Sequence, residues 1–317
     1  MVEDILVSVI IPTYNVEGFI SDSLNSILEQ SHKKLEIIVV DDGSVDRTFE
    51  ILKNLQLADS RLKIFRNDTN LGIVATLNYA LTLAKGAYIV RMDGDDLCTK
   101  DRIVRKLKFL LQNPEIDIVG CDIYSIDENG NLLNQIITGH TVNCCKKLML
   151  FTSPILHIWM CKRSVYDILE GYRELGGSED YDFLLRAATQ NMRMVNLPFY
   201  GYSVRIRSGN TQTTNGLRQR KIVHYIRKLY KQRLKLGEDF FDAINFNKKF
   251  SNNRIELFIH NRAVSFTNLA LKYRSERYYV KFLLSALLAC FSPYQARFFI
   301  DSIIAKIILK KYNEKID

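Results

Sequence analysis

The residues of this 317-residue chain best suited to chemistry are acids that close apolar runs. Asp93-Gly94-Asp95-Asp96 follows the run 87–92, and Asp41-Asp42-Gly43-Ser44 follows the run 35–40. Carboxylates gathered on neighbouring strand tips repel one another at neutral pH unless a cation holds them. Gly94 lets the backbone turn tightly between two of them, which suits a hard divalent ion with oxygen ligands. Mg²⁺ or Mn²⁺ keeps several waters and binds through one or two carboxylates plus substrate phosphates, so the pattern points to a nucleoside-diphosphate substrate. A bland reading competes with this, in which the acidic turn is solvated and caps the helix that follows. The largely apolar strand before it, and the other polar strand ends beside it, favour a site.

The elements that must position these acids read as strand and helix in rotation. Runs 7–11, 35–40, 62–65, 87–92 and 116–121 are short, apolar and rich in β-branched residues, as buried strands are. Helical spacing covers 16–30, 74–84 and 101–111. This rotation predicts an α/β fold, a Rossmann-like, mostly parallel sheet with helices on both faces. Ligands of such sheets sit beyond the carboxyl ends of the strands, where Pro12-Thr13-Tyr14-Asn15 also lies. Past Cys121 the pattern weakens to a hairpin turn at 127–130 and helices over 143–151 and 162–169. Basic and apolar helices then cover 218–236, 254–273, 276–291 and 294–312.

Composition narrows the function classes. At 47% apolar and 25% charged, with 15 Gly and 5 Pro, the chain is ordinary globular protein. Six cysteines without a C-x-x-C pair argue against a structural zinc site and fit a reduced, cytosolic setting. The N-terminal apolar stretch stops at Pro12 and reads as a strand rather than a signal peptide, and no run is long enough for a membrane span. From Tyr202 onward 23 Lys and Arg stand against 8 Asp and Glu, +15 against −6 in the residues before it. The expected division is therefore 1–205 for the catalytic unit and 206–317 for a basic helical region with an anionic partner.

VSVIIPTYN, IIVVDDGSVDRT, NLGIVATLNYAL, AKGAYIVRMDGDD and GGSEDYDFLLRA, in that order, resemble glycosyltransferase family 2, the inverting transferases of GT-A fold. The resemblance implies that Pro12, Thr13 and Tyr14 line a nucleoside pocket, that Asp41 or Asp42 binds the base, and that Asn70, Gly72 and Asn78 shape its rim. It implies Asp93 and Asp95 as the D-x-D pair on Mn²⁺ or Mg²⁺, Asp95 the more direct ligand and Asp96 in support, with Arg91 near phosphate or a carboxylate. Asp180 matches the general base and Glu179 its partner, although first-turn acids are favoured by the helix dipole in any case. His157 falls where relatives face the acceptor, while on its own it reads as a core histidine. Arg205 and Arg207 fall where relatives carry His or Arg toward the diphosphate, Arg207 being the better match.

Displacement at an anomeric carbon needs a base on one face and charge neutralisation of the leaving diphosphate on the other, which predicts inversion. The expected donor is a nucleotide-diphosphate sugar, UDP from the resemblance, and the expected acceptor a polyprenyl-diphosphate-linked glycan in O-antigen or capsule assembly. The basic helix 218–235 has the pattern of a helix lying in a membrane interface, which predicts peripheral attachment to the cytoplasmic face of the inner membrane. Two other readings are an inactive relative acting as a nucleotide-binding scaffold and a nucleic-acid binder. The basic residues sit on expected helices without the aromatic strand platform that nucleic-acid binding needs, so no nucleic acid is expected. A nucleotidyltransferase would want a glycine- and lysine-rich phosphate loop near the start, which the sequence lacks.

Overall fold

A computed structural model describes residues 2–207, 216–246, 250 and 253–313. The strands are β1 (Val7–Thr13), β2 (Leu35–Asp41), β3 (Leu62–Arg66), β4 (Tyr88–Arg91), β5 (Leu97–Cys98), β6 (Ile118–Ile126), β7 (Leu132–Ile136), β8 (Met160–Lys162) and β9 (Met194–Arg205). They form one sheet in the order β3-β2-β1-β4-β8-β6-β9-β5, with β7 paired to β6. β3, β2, β1 and β4 run parallel, whereas β8 is antiparallel to both β4 and β6. The sheet is thus parallel where strand and helix alternate and mixed beyond β4.

Both faces of the parallel half are covered, so its central strands are apolar at every other residue on each side. Ile10, Ile38 and Val40 enter one core layer, while Val9, Ile11, Ile37 and Val39 enter the other. The second layer is closed by α1 (Ile20–Leu28), α2 (Thr48–Ala58) and α4 (Arg102–Gln112). The first is closed by α3 (Ile73–Leu83), α6 (Arg163–Leu169) and α7 (Glu179–Thr189), and α5 (Val142–Leu148) also lends it Cys145. Pro12 sits in the central strand β1 without breaking a ladder. Ile10 accepts from Met92 on the β4 side, so Pro12 faces that same side two residues on, where β4 has already left the sheet.

The strands and helices expected from sequence are present within a few residues at their ends. α2, β8 and the twelve-residue β9 were not anticipated. The 127–130 turn closes the β6–β7 hairpin, with Asp127 accepting from the backbone of Asn129 and Asn131.

The C-terminal part is helical: α8 (Gly216–Leu236), α9 (Arg254–Ser275), α10 (Tyr279–Ala289) and α11 (Pro293–Asn313). The apolar stripe of α8, expected to lie in a membrane interface, instead faces inward. Ile222, Ile226 and Leu229 join Tyr181, Leu184 and Leu185 in the first core layer. Burial against α7 satisfies the same amphipathic pattern that a bilayer would. Among the described residues no helix is long and apolar enough to cross a membrane.

Candidate active site

Three of the four parallel strands, β1, β2 and β4, end in a residue expected at the site. At the end of β1, Thr13 lies so close to the acidic loop that a side chain on Gly94 would come within 2.6 Å of Thr13 Cγ2. Only glycine fits this approach of loop to strand. Tyr14, next along, is exposed. At the end of β2, Asp41 is fully buried, accepts from the Ser44 amide at 3.2 Å and pairs with Arg66 at 3.3 Å. Asp42 accepts from Asn67 Nδ2 at 2.8 Å and from the amides of Leu71 and Gly72 at 2.9 and 2.8 Å. Both acids therefore shape the loops around the expected base pocket. Gly72 opens α3 at φ +89°, and the Asn70 amide packs against Gly43. Asn78 lies further along α3, exchanging hydrogen bonds of 2.9 Å with the backbone of Tyr172. It anchors the chain that leads into α7.

The acids of the β4 loop converge with residues from the second half of the chain. Arg91, on β4, reaches Asp93 Oδ1 at 3.2 Å and Glu179 Oε1 at 3.1 Å. It thereby joins the acidic loop to the first turn of α7. His157, in the loop before β8, has Nε2 at 3.0 Å from Asp93 Oδ2 and Nδ1 at 4.0 Å from Asp180 Oδ2. Asp93 also donates its amide to Tyr202 Oη at 3.1 Å, and Asp96 accepts from the Arg205 amide at 2.8 Å. Trp159, stacked on Phe183 of α7 with ring centroids 5.4 Å apart, packs between the His157 loop and the helix that carries Asp180.

The electrostatics follow from crowding. Burial works against ionisation of Asp93, but Arg91 and His157 hold its carboxyl well below the usual range. Burial, with Asp95 and Asp93 beside it, pushes Asp96 up to about 8. Burial and Asp180 likewise raise Glu179 against the pull of Arg91.

One carboxylate oxygen each from Asp93 and Asp96 and a ring nitrogen of His157 lie within 4.8 Å of one another. His157 Nε2 is buried, and its 3.0 Å approach to Asp93 is off the line that a hydrogen bond requires. Adjacent ligands on an octahedral ion at about 2.1 Å stand about 3.0 Å apart, so this spacing fits a shared dication. The two carboxylates suit Mn²⁺ or Mg²⁺, and the imidazole favours Mn²⁺ over Mg²⁺, which takes oxygen ligands. Asp95, expected to be the more direct ligand, is outside this cluster and pairs with Arg207 at 2.7 Å. Arg207 and Arg205 both lie over the Phe19 ring. The Ser-Gly step after Arg207 lies outside the described residues.

Sequence reasoning missed Arg102 and Lys106. Both are buried beneath the site and share one acceptor, Ile158 O, at 2.7 and 3.1 Å. Arg102 also donates to Arg91 O at 2.7 Å. Their spacing by one helical turn among Ile103, Leu107 and Leu110 on α4 was the available signal.

Residues 8–169 match the Glycosyl transferase family 2 profile. The O-antigen biosynthesis glycosyltransferase WbnJ of Escherichia coli is 32% identical over 65% of this chain and 82% of its own length. The TarS structure from S. aureus, in complex with UDP-GlcNAc, has a TM-score of 0.61 at 21% identity, covering 98% of this chain and 92% of that one. The mannosyltransferase PcManGT of Pyrobaculum calidifontis, in complex with GDP-Man and Mn²⁺, has a TM-score of 0.59 at 18% identity, covering 94% and 86%. These two structures share the GT-A fold with the chain. Profile and relative agree with the motifs that build the site, and the chain belongs to glycosyl transferase family 2.

Proposed function

We propose that the chain transfers a sugar from a nucleoside-diphosphate donor, with UDP the expected nucleotide, to an acceptor hydroxyl with inversion of configuration. The observation that carries this reading is the link from Asp93 through His157 to Asp180, at 3.0 and 4.0 Å. Asp180 takes the proton of the incoming hydroxyl, a role that needs a carboxylate at hydrogen-bonding distance from it. Glu179, paired to Arg91, fixes the first turn of α7 so that Asp180 stays aimed at the acceptor side. Asp93, Asp96 and His157 would hold a dication, and the resemblance adds Asp95. Such an ion, when bound, neutralises charge developing on the departing diphosphate. Arg207 is placed to exchange Asp95 for a phosphate oxygen, since a guanidinium serves either anion.

The acceptor we infer is a polyprenyl-diphosphate-linked glycan, met at the cytoplasmic face of the membrane during assembly of a surface polysaccharide. Support comes from the basic C-terminal helices and from the O-antigen role named for the E. coli relative. The test is a panel of UDP- and GDP-sugars with Mn²⁺, read as nucleotide release and as protection against melting. One donor should stand out in both readouts. A panel with no Mn²⁺-dependent binding would leave the scaffold reading instead.

A further inference from the structure

α10 is built inside out. The residues it buries are the small ones, Ser285 and Ala289, which pack toward the rest of the C-terminal helices. Its large apolar side chains point away: Val280 is 72% exposed, Leu283 59% and Leu287 70%, with Phe291 just past its end at 72%. Leu284 shares that face, and Tyr278 and Tyr279 are exposed at its amino end. The positions 280, 283, 284 and 287 repeat at the helical period, so they form one continuous stripe, and Phe291 lies exposed two residues past the helix end. A stripe of this kind on a folded protein marks a surface that is covered in use.

The charge around the stripe says what covers it. Residues 253–313 carry ten Lys and Arg against three acids, and from Arg277 to Ile300 there is no acid. Each of the three acids is paired within the protein: Glu256 with Lys221, Glu276 with Lys272, and Asp301 with Arg227 and Arg297. The face therefore offers apolar side chains rimmed by Arg277 and Lys281, which pair with no acid among the described residues. An isologous contact with a second copy would bring together two faces that both carry cations and no acid from 277 to 300, so it offers no charge complementarity. Anionic headgroups over an acyl layer complement both features, with the rim cations at headgroup level and the tyrosines at the boundary.

We propose that the stripe of α10 is the surface by which the protein docks on an anionic phospholipid bilayer. This deepens the peripheral-membrane reading above and rests on it, while moving the contact from α8, whose stripe is buried, to α10. The test is sedimentation of the full-length protein with phosphatidylcholine vesicles that contain phosphatidylglycerol. The wild type should pellet with these vesicles and much less with pure phosphatidylcholine. L283D/L287D should lose at least about tenfold in partition, because two leucines no longer leave water. R277E/K281E should lose the dependence on phosphatidylglycerol. The substituted side chains are exposed, so melting and donor protection should be unchanged.

Wild-type protein that stays in the supernatant, or a leucine variant that pellets equally, overturns the proposal. So does a vesicle-free dimer that the leucine variant abolishes, which would assign the face to a second copy. Sedimentation is read without donor and donor protection without vesicles, so failure of docking and failure of sugar transfer are separately visible.

Discussion

Asp180 and Asp93 sit either side of His157, and on the proposed reading they divide the work, so their substitutions should fail differently. Asp180→Asn keeps the shape of the site and removes the proposed base. Turnover should fall by about 10²–10⁴ while donor affinity stays near wild type, compared by nucleotide-release kinetics and calorimetry. Equal loss in both would mean that Asp180 binds donor instead. Asp93→Ala should abolish Mn²⁺-dependent donor binding, and His157→Ala should weaken it by at least roughly tenfold, the loss seen when even a partner of a metal ligand is removed. Unchanged Mn²⁺ titration of His157→Ala would return the histidine to a purely packing role. The acids were legible in the sequence because a short motif at a strand end carries its own geometry. The convergence of Asp96 and His157, and the turn of Asp95 toward Arg207, were not, because they depend on how segments some 60 to 110 residues apart meet.

Most elements were legible from period and strand-end chemistry, since apolar runs and helical stripes are local. What a stripe packs against is not local. The α8 pattern is equally satisfied by a bilayer or by α7, and only the tertiary structure decides. β9 escaped because its residues are mixed in polarity, and its place between β6 and β5 is secured by pairing with distant segments. α4 shows the same limit in its charges. Burial holds the Lys106 ammonium down to about 8 from the ordinary 10.5. The unfolded chain keeps that proton up to about 10.5, so between these values it binds more protons than the folded state and stability rises with pH. Below about pH 8 the whole penalty is present. Lys106→Met should therefore stabilise the protein near neutral pH, by up to about 3 kcal/mol. The wild type should recover much of that gap near about pH 10, measured by urea unfolding of both proteins. A gap that does not narrow with pH would show that the lysine is charged and satisfied by Ile158 O and its surroundings.

For the whole molecule, binding at the site is linked to unfolding. An ion and donor that bind only the folded chain stabilise it by about 2.7 kcal/mol at a hundredfold excess over Kd. Mn²⁺ with the right nucleotide sugar should raise Tm by several degrees, and EDTA should remove the gain. A Tm indifferent to Mn²⁺ in the presence of donor would sink the shared-dication reading. Arg205 gives this linkage a mechanical side. Its guanidinium donates to Asp95 O at 2.8 Å and to Asp127 O and Glu128 O at 3.2 and 2.7 Å, while its amide holds Asp96. The tip of the β6–β7 hairpin is thus bolted to the acidic loop. Whatever leans on that tip, such as a long acceptor lying across it, moves the acids with it, so lengthening or shortening the hairpin should detune the reaction without altering one residue of its chemistry.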